Sequence, residues 1–162
     1  IPRIGHGVCH QKNSGAGPMK VYFIGAGPGD PELVSVKAMR VLKKADVVLY
    51  DYLVHPNIIL AAKGAEKVCV GKKKGAHSTQ QKDINQLLVD YAKEGKVVAR
   101  LKGGDPMVFG RCGEEMTALN EASLPYEIIP GITSAISVPT YAGIPITHRD
   151  HSHSVAFVTA TR

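Results

Sequence analysis

The sequence predicts an α/β fold, a mostly parallel sheet with flanking helices. Two observations point there: short apolar runs alternate with amphipathic segments, and glycine-rich turns stand where the runs end. A length of 162 residues with 44% apolar content suits one ordinary hydrophobic core. The 17 glycines and 10 prolines sit at the ends of runs and form no biased tract, so they read as punctuation of a folded chain.

Residues 1–18 show neither helical nor strand periodicity, and Met19-Lys20 stands directly before the first convincing strand. That stretch is expected to be a vector-derived or poorly ordered extension outside the fold. Val21–Gly25 is the first strand. The turn Gly25-Ala26-Gly27-Pro28-Gly29-Asp30 then leads into a helix with Asp30 as cap and Pro31 in the first turn. Leu33, Val36, Met39 and Leu42 recur there at three-residue spacing, and the helix ends near Ala45. Asp46–Asp51 reads as a buried strand with Asp51 at its carboxyl end, followed by a short helix from Pro56 to Ala62 and a strand at Lys67–Val70. Ser78 or Thr79 caps a long helix with Ile84, Leu87, Leu88 and Tyr91 on its inner face, and Gly95 ends it. Val97–Leu101, a helix around Glu114–Ala122, Tyr126–Ile129 and a helix after Pro130-Gly131 follow. A last strand is expected at Val155–Thr159.

Composition narrows the function. No apolar stretch approaches the roughly 20 residues of a membrane-spanning helix, and the first residues lack the order of a signal peptide, so a cytoplasmic protein without membrane contact is expected. Cys9, Cys69 and Cys112 are odd in number and widely spaced, which implies reduced thiols. The formal charge of +6 favours acidic partners, either nucleic acid or a polycarboxylate small molecule. Aromatic residues are few and none interleaves with the basic ones as a stacking platform, which argues against nucleic acid. His148, His151 and His153 lack a matching distal ligand pair, and His6, Cys9 and His10 sit in the unpatterned extension, so no metal is expected.

Ligands of open α/β sheets gather at the carboxyl ends of the strands, where helix amino termini and backbone amides point. Glycine-rich or polar turns occupy such ends at 25–30, from Asp51 onward, at Gly71-Lys72 and at Lys102-Gly103-Gly104-Asp105-Pro106. Pro130-Gly131-Ile132-Thr133-Ser134-Ala135 adds hydroxyls near a helix start. The first turn lacks the G-x-G-x-x-G spacing, Pro28 removes an amide, and no Walker-type phosphate loop is present. Paired Gly103 and Gly104 let the backbone approach a flat ligand closely, and the Asp105 carboxylate can accept ribose hydroxyls or face a sulfonium. Strand-to-helix turn chemistry explains the same glycines without a ligand. Arg111, Glu114 and Glu115 read equally well as a helix start with an ion pair.

The blocks VYFIGAGPGDPELVSVKA, ADVVLYDYLV, VGKKKGAHS, RLKGGDPMVFGRCGEE, PYEIIPGITSA and YAGIPITHRDHSHSVAFVT, in this order, resemble the signature blocks of uroporphyrinogen-III C-methyltransferases within the tetrapyrrole methylase family. The resemblance covers residues 19 to about 160. It implies a two-lobed enzyme, usually a homodimer, that binds S-adenosylmethionine between its lobes, releases S-adenosylhomocysteine, and holds a tetrapyrrole over the strand ends of the first lobe. On that basis residues 19–154 correspond to the amino-terminal domain and 155–162 to the start of a truncated second lobe. By position in the blocks, Pro28, Gly103, Gly104, Asp105, Val108, Thr133 and Ser134 correspond to cofactor contacts. Asp51 corresponds to the proposed proton acceptor and Lys72 to the proposed proton donor. Arg111, His148 and Arg149 are candidates for gripping substrate carboxylates.

The implied reaction is methylation of uroporphyrinogen III at two ring positions, giving precorrin-2 for sirohaem and cobalamin. A fragment of this length is expected to fold and to turn over little by itself. Methylation of a later precorrin, a non-catalytic tetrapyrrole-binding or assembly lobe, and more distantly RNA binding are the competing readings. The sequence departs from the family pattern at Tyr52 (commonly Arg), Cys112 (usually Gly), Ser134 (often Ala) and TATR (commonly TGH).

Overall fold

A computed structural model describes residues 21–71 and 80–159. Five strands, β1 (Val21–Gly25), β2 (Val47–Tyr50), β3 (Glu66–Cys69), β4 (Val98–Lys102) and β5 (Tyr126–Ile129), form one sheet in the order β3-β2-β4-β1-β5. Every ladder between them is parallel. The predicted fold class is therefore the observed one.

Parallel strands need crossovers, and helices α1 (Val36–Leu42), α2 (Pro56–Leu60), α3 (Gln81–Lys93), α4 (Cys112–Glu121) and α5 (Ser134–Tyr141) stand between or after them. The two-residue period of the strands sorts the core into two layers. Ile24, Val48, Ala99 and Leu101 pack with Ala38 and Leu42 of α1 and Ile58 and Ile59 of α2. Val21, Phe23, Val47, Leu49 and Val98 pack on the opposite face with Ile84 and Leu88 of α3 and Leu119 of α4. Burying each of the valine, leucine, isoleucine and phenylalanine side chains contributes about 1.5–3 kcal/mol relative to exposure.

Local chemistry accounts for most boundaries. Gly95 (φ 84°) ends α3 in a left-handed turn, with Lys96 N–H donating to Tyr91 O and Gly95 N–H to Ala92 O. Pro56 opens α2 behind His55, whose Nδ1 accepts from Asn57 N–H.

Three expectations are corrected. The helix expected to run unbroken from Asp30 is two pieces: a single turn of tight helix at Pro31–Leu33, capped by Asp30, and α1, capped by Ser35, whose Oγ accepts from Ala38 N–H. Ser35 competes for the backbone in the way that makes serine a start signal, and the three-residue spacing ran straight across it. Gln80 stands at the N-cap of α3, where Asp83 reaches back to its N–H. Ser78 and Thr79, expected as caps, lie outside the described residues, as do residues 1–20 and Lys72. Val155–Thr159 is not one of the strands: its backbone carries no regular secondary structure, and Val158 is 84% exposed.

Candidate functional site

Three strand ends meet through bare backbone. A Cβ on Gly25, at the end of β1, would lie 2.5 Å from Gly131 Cα and 2.7 Å from Gly104 O; one on Gly131 would lie 2.2 Å from Gly104 O. Such separations leave no room for a side chain, so the turns after β1 and β5 close on each other and on the Gly104 carbonyl only because Gly25 and Gly131 are glycine; Gly104 itself has space for a Cβ and is favoured by its φ of 64°. Hydrogen bonds lock the junction. Gly27 N–H donates to Gly104 O and Gly104 N–H to Gly27 O, while Asp105 Oδ2 accepts from Gly131 N–H at 3.0 Å. The other Asp105 oxygen accepts from Met107 N–H at 2.8 Å. The Asp105 carboxylate thus already holds the loop together with both oxygens. Gly103 likewise makes room for a protein neighbour, since a Cβ there would lie 2.9 Å from Leu53 Cβ.

Beside this junction opens a cleft of about 1070 Å³ at the carboxyl ends of the strands. Its lining includes Pro28, Asp51, Gly103, Gly104, Asp105, Val108, Thr133 and Ser134. All the described residues singled out as cofactor contacts or proton acceptor are therefore brought to one concavity. Lys72 lies outside the described residues; Gly71 before it lines the cleft. Thr133 caps α5, its Oγ1 accepting from Ala135 N–H, so the amino end of that helix faces the cleft. Arg111 lines the cleft and pairs with Glu114 through two bonds of 2.7 and 2.8 Å, which hold the Glu114 carboxyl below the usual range. His148 and Arg149 are exposed in a turn that does not line it. His148 Nδ1 accepts from Asp150 N–H, and its ring stacks on His151.

Among the departures from the family pattern, Tyr52 and Ser134 line the cleft, whereas Cys112 is buried in the layer under α3 and α4. Burial pushes the Cys112 thiol up to about 12.

A charged layer runs from the lining of the cleft, where Gln81, Arg100 and Lys102 stand, into the core. Arg100 and Lys102 of β4 point to the α3/α4 face, and both are buried. Glu115 of α4, fully buried, accepts from Arg100 Nε at 3.0 Å, Lys102 Nζ at 2.8 Å and Gln81 Nε2 at 3.2 Å. Arg100 Nη2 reaches the Asp51 carboxylate at 2.9 Å. Burial, with Arg100 adding to it, holds the Lys102 ammonium below its ordinary value. Sequence reasoning missed this group. The signal was present: two cations two residues apart in a strand that is otherwise apolar, with a carboxylate in the next helix.

A profile of the tetrapyrrole (corrin/porphyrin) methylases matches residues 20–162. The chain belongs to that family. It is 57% identical over 141 residues to a uroporphyrinogen-III C-methyltransferase of Methanocaldococcus jannaschii, covering 86% of this chain and 58% of that protein. It is 51% identical over 162 residues to a siroheme synthase of Ectopseudomonas mendocina, covering 98% of this chain and 35% of the relative. A solved uroporphyrin-III C-methyltransferase of Thermus thermophilus, complexed with S-adenyl homocysteine, superposes with a TM-score of 0.70 at 47% identity, covering 83% of this chain and 53% of that one. This tetrapyrrole methylase chain thus spans between about a third and three fifths of the length of these relatives. Among its described residues no helix is long and apolar enough to cross a membrane, and no cluster of three or more His, Cys, Asp or Glu could hold a metal.

Proposed function

We propose that this chain is the amino-terminal lobe of an S-adenosylmethionine-dependent C-methyltransferase that converts uroporphyrinogen III to precorrin-2. The observation that carries the reading is the convergence of Pro28, Asp51, Gly103, Gly104, Val108, Thr133 and Ser134 on one cleft at the strand ends. Its volume lies just above the roughly 300–1,000 Å³ typical of small-molecule sites, which suits a nucleoside lying beside a macrocycle.

The residues present fit the cofactor. Gly104 (φ 64°) and Pro28 offer a low wall to a flat base, and the Thr133 and Ser134 hydroxyls at the start of α5 offer polar partners. Bound there, S-adenosylmethionine supplies an electrophilic methyl group. The protein's task is to align a pyrrole carbon with it and to manage the ring's proton. As the methylated carbon becomes quaternary and the S–CH3 bond breaks, the macrocycle gives up a proton from another ring position; Asp51 accepts that proton, and Lys72 is assigned the donor role by its place in the matched block. Arg111 at the rim engages an acetate or propionate of the substrate. Asp105 braces the loop through one backbone amide on each oxygen, and the remaining lone pairs of its carboxylate stay available to the cofactor. A second lobe beginning near residue 155, a homodimer and a cytoplasmic location complete the proposal.

The test is to incubate the complete protein encoded by the reading frame that carries these residues with uroporphyrinogen III and methyl-labelled S-adenosylmethionine. Two methyl groups per macrocycle are expected, and none from Asp51→Asn above a small residue. Labelling of precorrin-2 but not of uroporphyrinogen III would replace the substrate assignment. Undiminished methylation by Asp51→Asn would remove the base role. Robust turnover by residues 1–162 alone would overturn their assignment as one lobe of two.

A further inference from the structure

The charged layer at the cleft invites a purpose, because the sheet does not need it. In register, Arg100 sits between Phe23 of β1 and Leu49 of β2, both fully buried. An apolar residue there, such as Val98 two places earlier on the same face, would fill the space without removing a guanidinium from water. Buried ion networks seldom stabilise a fold more than apolar residues of the same size would. Their geometry, however, is highly determined, since every charge must keep its partners.

That geometry ends at the cleft. Glu115 is the hub: its carboxylate takes Arg100 Nε on one oxygen and Lys102 Nζ on the other, with Gln81 of α3 sharing the first. The planar guanidinium, fixed at Nε, presents Nη2 to Asp51 Oδ1 at 2.9 Å. Asp51 is the outermost member, its side chain 28% exposed against 0% for Glu115 and 3% for Arg100. Two cations and two carboxylates leave the group balanced in charge. Asp51 follows the last residue of β2 and would otherwise swing about its χ angles.

We propose that Glu115 is a positioning residue: it fixes Arg100, and Arg100 in turn sets the direction in which the Asp51 carboxylate faces the cleft. This rests on the Asp51 base assignment above. A general base is effective only when its oxygen lies within hydrogen-bond reach of the proton it takes, and such a base contributes roughly 10²–10⁴-fold. Misdirecting Asp51 therefore lowers turnover and leaves cofactor binding nearly unchanged, since none of the network's side-chain bonds reaches a residue assigned to the cofactor.

The experiment compares two double variants of equal charge in the complete protein. Glu115→Gln with Lys102→Met removes one anion and one cation but keeps an oxygen that accepts from Arg100 Nε. Glu115→Met with Lys102→Met does the same without that acceptor. The Gln pair is expected to turn over at least about 10-fold faster than the Met pair, with KM for S-adenosylmethionine agreeing within about 3-fold. Equal kcat in the two pairs overturns the positioning role, because charge balance and packing alone would then account for the network. Arg100→Lys provides a second reading that does not depend on the Met pair folding. It keeps the charge but has one nitrogen to share between two carboxylates, so its kcat falls with KM held, and a wild-type kcat overturns the proposal. Asp51→Asn, run alongside, separates the two failures. If it keeps full turnover, the base assignment is wrong; if it loses turnover while the Met pair and Arg100→Lys do not, only the positioning role is wrong.

Discussion

Replacing Gly25 by alanine should damage the fold out of proportion to one methyl group. The new Cβ would stand 2.5 Å from both Gly131 Cα and Gly131 N, and 2.7 Å from Gly104 O. Carbon contacts are comfortable at about 3.5–4.0 Å, so the ends of β1 and β5 must part by about 1 Å. All three crowded atoms belong to the main chain, so no rotamer change can relieve them. Overpacking costs typically 1–3 kcal/mol, and this site lies at the upper end, about 3 kcal/mol. At about 2–4 °C per kcal/mol for a chain of this size, Tm falls by roughly 6–12 °C. Gly113→Ala in α4 is the control: nothing lies within 4 Å of its Cβ position, its φ is not positive, and alanine there stabilises by up to about 1 kcal/mol. Differential scanning calorimetry of the two variants beside the parent measures both shifts. A Gly25→Ala melting point within about 1 °C of the parent would refute the argument that backbone contact closes the strand ends.

Two further outcomes follow from the buried groups. With its thiol pushed up to about 12, Cys112 holds about one thiolate in ten thousand near pH 8, so iodoacetamide labels exposed Cys69 and spares Cys112 in the native protein; mass spectrometry of the peptides reads the ratio. Lys102 gives up its proton more readily folded than unfolded, where it returns to about 10.5. Between those values the unfolded chain binds more protons, so this group's contribution to stability rises with pH, and is at its least favourable below the folded value. Urea midpoints at about pH 8 and about pH 10 should therefore rise more, or fall less, in the parent than in Lys102→Met, and parallel changes would contradict it.

Much of the fold was legible because its signals are local. Apolar runs bounded by glycine or proline located the strands within a residue or so, and β1 and β5 fall at their expected bounds. The break at Ser35 was hidden because Leu33, Val36, Met39 and Leu42 keep their spacing across it; periodicity reports a face, not the continuity of the helix that bears it. Val155–Thr159 has the composition of a strand, but strand propensity depends on the packing around the segment, which composition does not contain.

At the site, glycine-rich turns pointed to the strand ends, and their meeting at one cleft agrees with the rule for open sheets. Which glycines serve the protein itself could not be read. Gly25 and Gly131 are small for each other, and Gly103 for Leu53, none of which adjoins it in sequence. The Arg100–Glu115–Lys102 group was missed for a similar reason: Arg100 and Glu115 read as ordinary charges until β4 and α4 pack.

The glycine junction also divides the labour of evolution. Where main chain touches main chain, a substitution cannot retune ligand preference without first disturbing the scaffold, so that stretch of the rim is closed to adaptive change. Tyr52, Leu53 and Phe109 line the same cleft and are exposed, Tyr52 to just under half of its surface and the other two to more than half. Exchanges there are tolerated at little energetic penalty, and a lineage shifting from one macrocycle to another would be free to record the change at those three positions.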